Sequence, residues 1–103
     1  MQRDAFQAIA DPTRREIIDL LAHEPLSVNQ VAEKFEISRP AISKHLRILR
    51  EAGLVSIRKE GRRRIYSAEL RALKEVAEWA MEHRSAWTQR LSTLEILMSD
   101  YTS

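Results

Sequence analysis

Apolar positions recur along this chain at a helical period, broken once by a stretch of alternation. Ala5, Phe6, Ile9 and Ala10 share one face and predict a short first helix. Asp11-Pro12 restarts the chain, since Asp is a good N-cap and proline at the first helical position gives up no N–H that the helix needs. Ile17, Ile18, Leu20 and Leu21 make the second helix apolar on one side, and Glu24-Pro25 ends it. Ser27 opens a third helix, with Gln30 at capping-box spacing and Val28, Val31, Ala32 and Phe35 at i, i+3, i+4 and i+7. A three-residue turn leads to a fourth helix, capped by Ser38, with Pro40 in its first turn and Ile42, Leu46 and Leu49 as its core stripe. Gly53 stands at the C′ position, where a helix end favours glycine.

Beyond Gly53 the period shortens to two. Val55 and Ile57 alternate with Ser56 and Arg58, Ile65 and Tyr66 fit a second strand, and Glu60-Gly61-Arg62 supplies the turn. The last third returns to a helical period. Leu70, Leu73, Ala77, Ala80, Arg84, Trp87, Leu91, Leu94 and Met98 are spaced alternately by three and four, a heptad seam with one polar break at Arg84. A continuous helix over that seam would run roughly 43 Å, more than so small a globule covers alone. The pattern predicts a mainly α chain of about five helices with a two-stranded β-hairpin. It forms a single domain over residues 1–103, in which residues 69–98 make a C-terminal dimerisation helix.

Composition narrows the classes. A chain of 103 residues suits one domain, which at this size buries only about two thirds of its unfolded surface. Without cysteine, disulfides and thiolate metal sites are excluded. The start Met1-Gln-Arg-Asp4 has no apolar stretch behind it, and no run approaches the roughly 18 apolar residues of a membrane span. The chain is therefore expected to be cytoplasmic, with no membrane partner.

Charge then singles out one region. Residues 38 to 64 hold nine basic residues and only Glu51 and Glu60, a balance of +7; the remainder carries −5, for a formal net charge of +2. Such asymmetry suits a polyanionic partner. With Ile42 at the centre of the buried face, Pro40, Lys44, Arg47 and Glu51 fall opposite, with Ser43 beside them. Ser38 and Arg39 lie at the end that would enter a major groove first. Arginine and lysine donate to guanine edges or phosphates, and serine bonds either. Ser38, Arg39, Pro40, Ser43, Lys44, His45 and Arg47 are therefore candidate contacts with double-stranded DNA. Lys59, Arg62, Arg63 and Arg64 on the hairpin tip join them, set along phosphates or a narrow minor groove. Alternation leaves open on which side Arg64 projects. His45, about 60° from the core stripe, suits packing or a phosphate better than a base edge.

Other residues have plainer roles. A charged outer helix face is often merely solvated, and a basic edge strand protects a sheet from pairing. His23, His45 and His83 are far apart, so no metal site and no cofactor are expected; His83 with Glu78 or Glu82 across a dimer is the weaker alternative. Ser43 and His45 point apart on a helix and lack a third group, so no catalytic residue is assigned. Trp79 and Trp87 fit packing at a dimer seam, a ligand pocket being the alternative.

The run Ser43-Lys-His-Leu-Arg-Ile-Leu-Arg-Glu-Ala-Gly-Leu-Val55, with Arg58, Gly61-Arg62, Tyr66 and the earlier Asp11-Pro12-Thr13-Arg14-Arg15, resembles the ArsR/SmtB family of bacterial repressors. The resemblance covers nearly the whole chain. It implies a winged helix-turn-helix fold, a homodimer through the first and last helices, and binding to operator DNA that usually represses transcription. Phe6, Leu73, Ala77, Ala80, Trp87, Leu91, Leu94 and Met98 are the expected interface residues. Many members sense metals through thiolates on the third helix or through His and carboxylate ligands on the last. This chain has Ser27, Val28 and Asn29 at the first place, and at the second Ser67-Ala68-Glu69 and a solitary His83. The resemblance is to a cysteine-free branch and implies no inducer. A metal-responsive repressor and a winged-helix module that binds protein rather than DNA are the alternative readings.

Overall fold

The computed structural model describes residues 4–84. The element order is α1 (Ala5–Ile9), α2 (Pro12–His23), β1 (Leu26–Ser27), α3 (Val28–Ala32), α4 (Arg39–Glu51), β2 (Val55–Glu60), β3 (Arg63–Ala68) and α5 (Leu70–Glu82). Compact units divide after Leu73, within α5. The first is the helical head with its sheet. In the second, Lys74 and Glu78 pair at 3.9 Å, and the rings of Trp79 and His83 stack at 4.3 Å.

Local chemistry sets the helix boundaries. Asp11 and Ser38 accept from backbone N–H groups three residues on, at 3.0 and 3.3 Å, with proline following in each first turn. Ser27 and Gln30 form a reciprocal capping box: Gln30 N–H donates to Ser27 Oγ at 3.3 Å, and Ser27 N–H to Gln30 Oε1 at 2.9 Å. At the far end of α4, Gly53 takes φ +76°. Gly53 N–H then reaches the Arg50 carbonyl at 2.9 Å and Leu54 N–H the Leu49 carbonyl at 3.0 Å. That is a Schellman motif, and Leu49 and Leu54 are both buried beneath it.

Ile17, Val31, Ile42, Leu46, Leu49 and Leu54 form the fully buried core, drawn from α2, α3, α4 and the turn after it. Shortening any of these large residues to alanine costs about 2–5 kcal/mol in comparable cores. The three residues of the α4 stripe are thus the anchor that fixes its outer face.

Two local readings change. The hairpin belongs to a three-stranded antiparallel sheet in the order β1-β3-β2, because Leu26 pairs with Tyr66 and Ser27 with Ile65. The third helix also ends at Ala32, short of Phe35, where the Lys34 N–H turns to the Val31 carbonyl at 3.0 Å in a tighter i→i−3 bond. Residues 33–38 therefore connect α3 to α4, in place of a three-residue turn. The hairpin turn itself is as expected: Glu60 faces Arg63, and Gly61 has φ +63° while Arg62 does not go positive, the pattern of a II′ turn.

Candidate nucleic-acid interface

The outer side of α4 and one face of the hairpin enclose a groove of about 690 Å³. Arg39, Pro40, Ser43, Lys44, Arg47 and Arg50 line it from the helix, and Arg64 lines it from β3. Val28, Ile57 and Tyr66 supply its apolar part. The helix can present this row because Ile42, Leu46 and Leu49 are fully buried behind it. The hairpin can reach it because β1 pairs with β3 immediately before α3 begins.

A second cleft, of about 260 Å³, lies between the start of α3 and the hairpin tip. Ser27, Val28 and Asn29 border it on one side, and Arg62, Arg63 and Arg64 on the other, with Arg39 shared between both clefts. A third, of about 280 Å³, gathers Arg50, Ile57, Lys59 and Arg64. Among the described residues, no acidic one lines any of the three. Among the described residues, none of Arg39, Lys44, Arg47, Arg50, Lys59 or Arg64 makes an ion pair; Arg58 does, with Glu60 at 2.9 Å. Arg58 stands out of register with Lys59 and Arg64, on the opposite side of the hairpin. That face also carries Glu60 and Arg63, one acid against two bases, whereas the strand face of Lys59 and Arg64 carries no acidic residue.

The sequence-predicted residues fall into three groups. Arg39, Pro40, Ser43, Lys44, Arg47 and Arg64 come together in the groove, while Arg62 and Arg63 border the second cleft and Lys59 the third. Ser38 is spent on capping α4 at its exposed start. His45 leaves the groove: it is half-buried, its Nδ1 3.4 Å from Arg14 Nη1 at the start of α2. Of the expected interface residues, Phe6, Leu73 and Ala80 are half-buried and Ala77 is exposed, whereas Trp87, Leu91, Leu94 and Met98 lie outside the described residues.

Arg50, Ile57, Tyr66 and Val28 were not among the sequence candidates. Arg50 carried a usable signal, since Arg39, Ser43, Arg47 and Arg50 recur at i, i+4, i+8 and i+11 along one side of a helix. Ile57 and Tyr66 reach the groove through strand register, and Val28 does so at the start of α3, directly after β1 pairs with β3. Nearby, the Asp11 carboxyl is held below the usual carboxylate range, chiefly by the hydrogen bond from Arg14 N–H, with the charges of His45 and Arg14 adding to it against the opposing effect of burial.

Residues 11–56 match the model of the bacterial regulatory protein, arsR family. The chain is similar to the HTH-type transcriptional regulator Rv2034 of Mycobacterium tuberculosis, 49% identical over 65 residues, a match covering 63% of this chain and 61% of that one. It thus spans less than two thirds of that relative. It is also similar to the transcriptional repressor SdpR of Bacillus subtilis, 40% identical over 78 residues, covering 76% of this chain and 87% of the relative. Among solved structures, it is similar to the homodimeric winged helix-turn-helix DNA-binding domain of Mb0332 from Mycobacterium bovis, with a TM-score of 0.62, 28% identity, and coverage of 75% of this chain and 74% of that one.

Proposed function

The chain belongs to the arsR family of bacterial regulatory proteins, and from that premise we propose that it is a homodimeric transcriptional repressor acting on operator DNA in the cytoplasm. The groove beside α4 carries this reading: five cations converge on it, and among the described residues none of them makes an ion pair. Bringing such charges together costs the free protein stability, and phosphates offset that cost by releasing their counter-ions when neutralised. The helix enters the major groove N-terminus first, so Arg39, Ser43, Lys44 and Arg47 meet base edges or flanking phosphates. The hairpin follows the backbone with Lys59, Arg62, Arg63 and Arg64. The heptad seam, together with the homodimeric state of the Mb0332 domain, supports a pair of such heads on one duplex. Repression follows where the operator overlaps a promoter.

The test is selection of genomic fragments bound by the full chain, followed by titration of a recovered duplex and a scrambled one across a salt series. The reading expects an imperfect inverted repeat and an affinity at least about a thousandfold above that for the scrambled duplex. Equal affinity for the two sequences would refute sequence-specific regulation. A salt-independent affinity would refute the phosphate contacts.

A further inference from the structure

Arg14 touches both the first helix and the recognition helix. Its Nε donates to the Ala8 carbonyl and its Nη2 to the Gln7 carbonyl at 3.2 Å, so the guanidinium closes the C-terminal end of α1. That end presents orphan carbonyls and the negative pole of the helix dipole, a natural seat for a cation. The remaining nitrogen, Nη1, stands 3.4 Å from Nδ1 of His45, midway along α4. Arg14 is itself held in place by its backbone N–H, which donates to Asp11 at 3.0 Å. A continuous chain of contacts therefore runs from the end of α1 to the flank of α4 that faces away from the groove.

The chemistry of the last link fixes the state of the imidazole. A guanidinium has donors only and keeps its charge. His45 Nδ1 must then offer its lone pair, and the ring proton sits on Nε2. A proton on Nδ1 removes the acceptor and leaves two cations facing each other. The contact and the imidazolium exclude one another.

Among the described residues, the charged groups around this link are few. The start of α2 brings Asp11 and Arg14; α1 and α3 have no ionisable side chain. The charges of β2, Arg58, Lys59 and Glu60, lie toward its hairpin end, and those of α4 nearest in sequence, Lys44 and Arg47, are exposed on its outer side. Asp11 is kept ionised by its bond from Arg14 N–H, so it does not take up the proton over the range in which histidine changes charge.

We propose that Arg14 is a positioning residue for DNA recognition: through neutral His45 it braces α4 against α1, and protonation of His45 releases the brace. The proposal rests on α4 being the recognition helix. It has a sign that separates it from the plain alternative. A histidine that only faced phosphates would tighten binding on acidification, because the imidazolium adds a charge to the contact set. A brace that needs neutral His45 loosens binding instead.

The experiment measures affinity for a labelled duplex recovered by genomic selection, at constant ionic strength from about pH 8 to about pH 5.5, the window in which histidine titrates. It compares the wild-type chain with His45→Gln and Arg14→Met. Glutamine Oε1 accepts from Arg14 without titrating; methionine fills the space of the arginine stem without donating. Wild type is expected to weaken by roughly three- to tenfold over that range, the order of one ordinary hydrogen bond. His45→Gln stays at the wild-type level of pH 8 throughout. Arg14→Met is weak at pH 8 and weakens no further. Parallel weakening of wild type and His45→Gln, or tightening of wild type on acidification, overturns the proposal. Failure to bind the selected duplex at any pH counts against the DNA-binding reading instead. The brace is then read on the free protein from imidazole nitrogen shifts. A bare Nδ1 at pH 8 that depends on Arg14 supports it, and a protonated Nδ1 there overturns it.

Discussion

Asp11 is one side chain with two consequences. Its carboxylate caps α2 by accepting from Arg14 N–H, and that bond aims the Arg14 side chain at α1 and His45. Replacing it with alanine should cost about 1 kcal/mol in a denaturant titration, the usual worth of such a cap. The pH dependence has a definite sign. The folded value lies below the ordinary 3.8, so the unfolded chain takes up the proton first. The extra stability is complete above that ordinary value and drains away as pH falls through the lowered one. The gap between wild type and Asp11→Ala should therefore narrow in acid; a gap of constant width would assign the effect to packing. On the outer side of α4, Arg39→Ala and Arg47→Ala separate base reading from anchoring. A base contact loses roughly 1–3 kcal/mol and relaxes preference at one position. Equal losses on the selected and the scrambled duplex would make the residue a phosphate anchor.

In the hairpin, pairing opposes stability to function. Lys59 lies directly across from Arg64 in the β2–β3 register, and Arg50 borders the same cleft. Like charges directly opposite destabilise a strand pair by roughly 0.2–1 kcal/mol. Lys59→Gln should thus raise the melting temperature at low salt, with the gain fading as salt screens the repulsion. The same change should weaken DNA binding and lower its salt slope by about one unit. Arg58→Gln is the control, since Arg58 and Glu60 already neutralise each other at the surface; it should leave the slope alone. A fall in melting temperature for Lys59→Gln at low salt would remove the repulsion from the account. These elements also mark what could be read from residues alone. The caps at Asp11, Ser27 and Ser38, and the end at Gly53, depend on atoms within six residues of one another, so spacing revealed them. The strand Leu26–Ser27 did not appear, because two residues have no period and their partners, Tyr66 and Ile65, come almost forty positions later. Tyr66 and Ile57 joined the groove, and His45 left it for Arg14, for the same reason. The charge of the site was legible; the side on which each non-local partner lay was not.

At the scale of the whole molecule, the proposed homodimer makes specificity depend on two heads held at a fixed separation. One recognition helix reads a few base pairs. A two-fold pair reads two half-sites about 34 Å apart, one turn of the duplex. The heptad seam is the part of the sequence suited to hold that separation, and Leu91 and Leu94 sit on it, outside the described residues. Replacing both with glutamate puts two charges where a dimer would bury apolar surface, and a buried unpaired charge is strongly unfavourable. Sedimentation should then show monomers. The head need not unfold, because its fully buried core, Ile17 to Leu54, is made within residues 1–73. An unchanged far-ultraviolet signal from that core with the second head lost should leave weak, sequence-indifferent binding. Its salt slope should be about half that of the dimer, since half the phosphate contacts remain. A dimer that survives both substitutions would move the interface off the seam. A monomer that still prefers the selected duplex by the same factor would mean that one α4 carries the specificity alone.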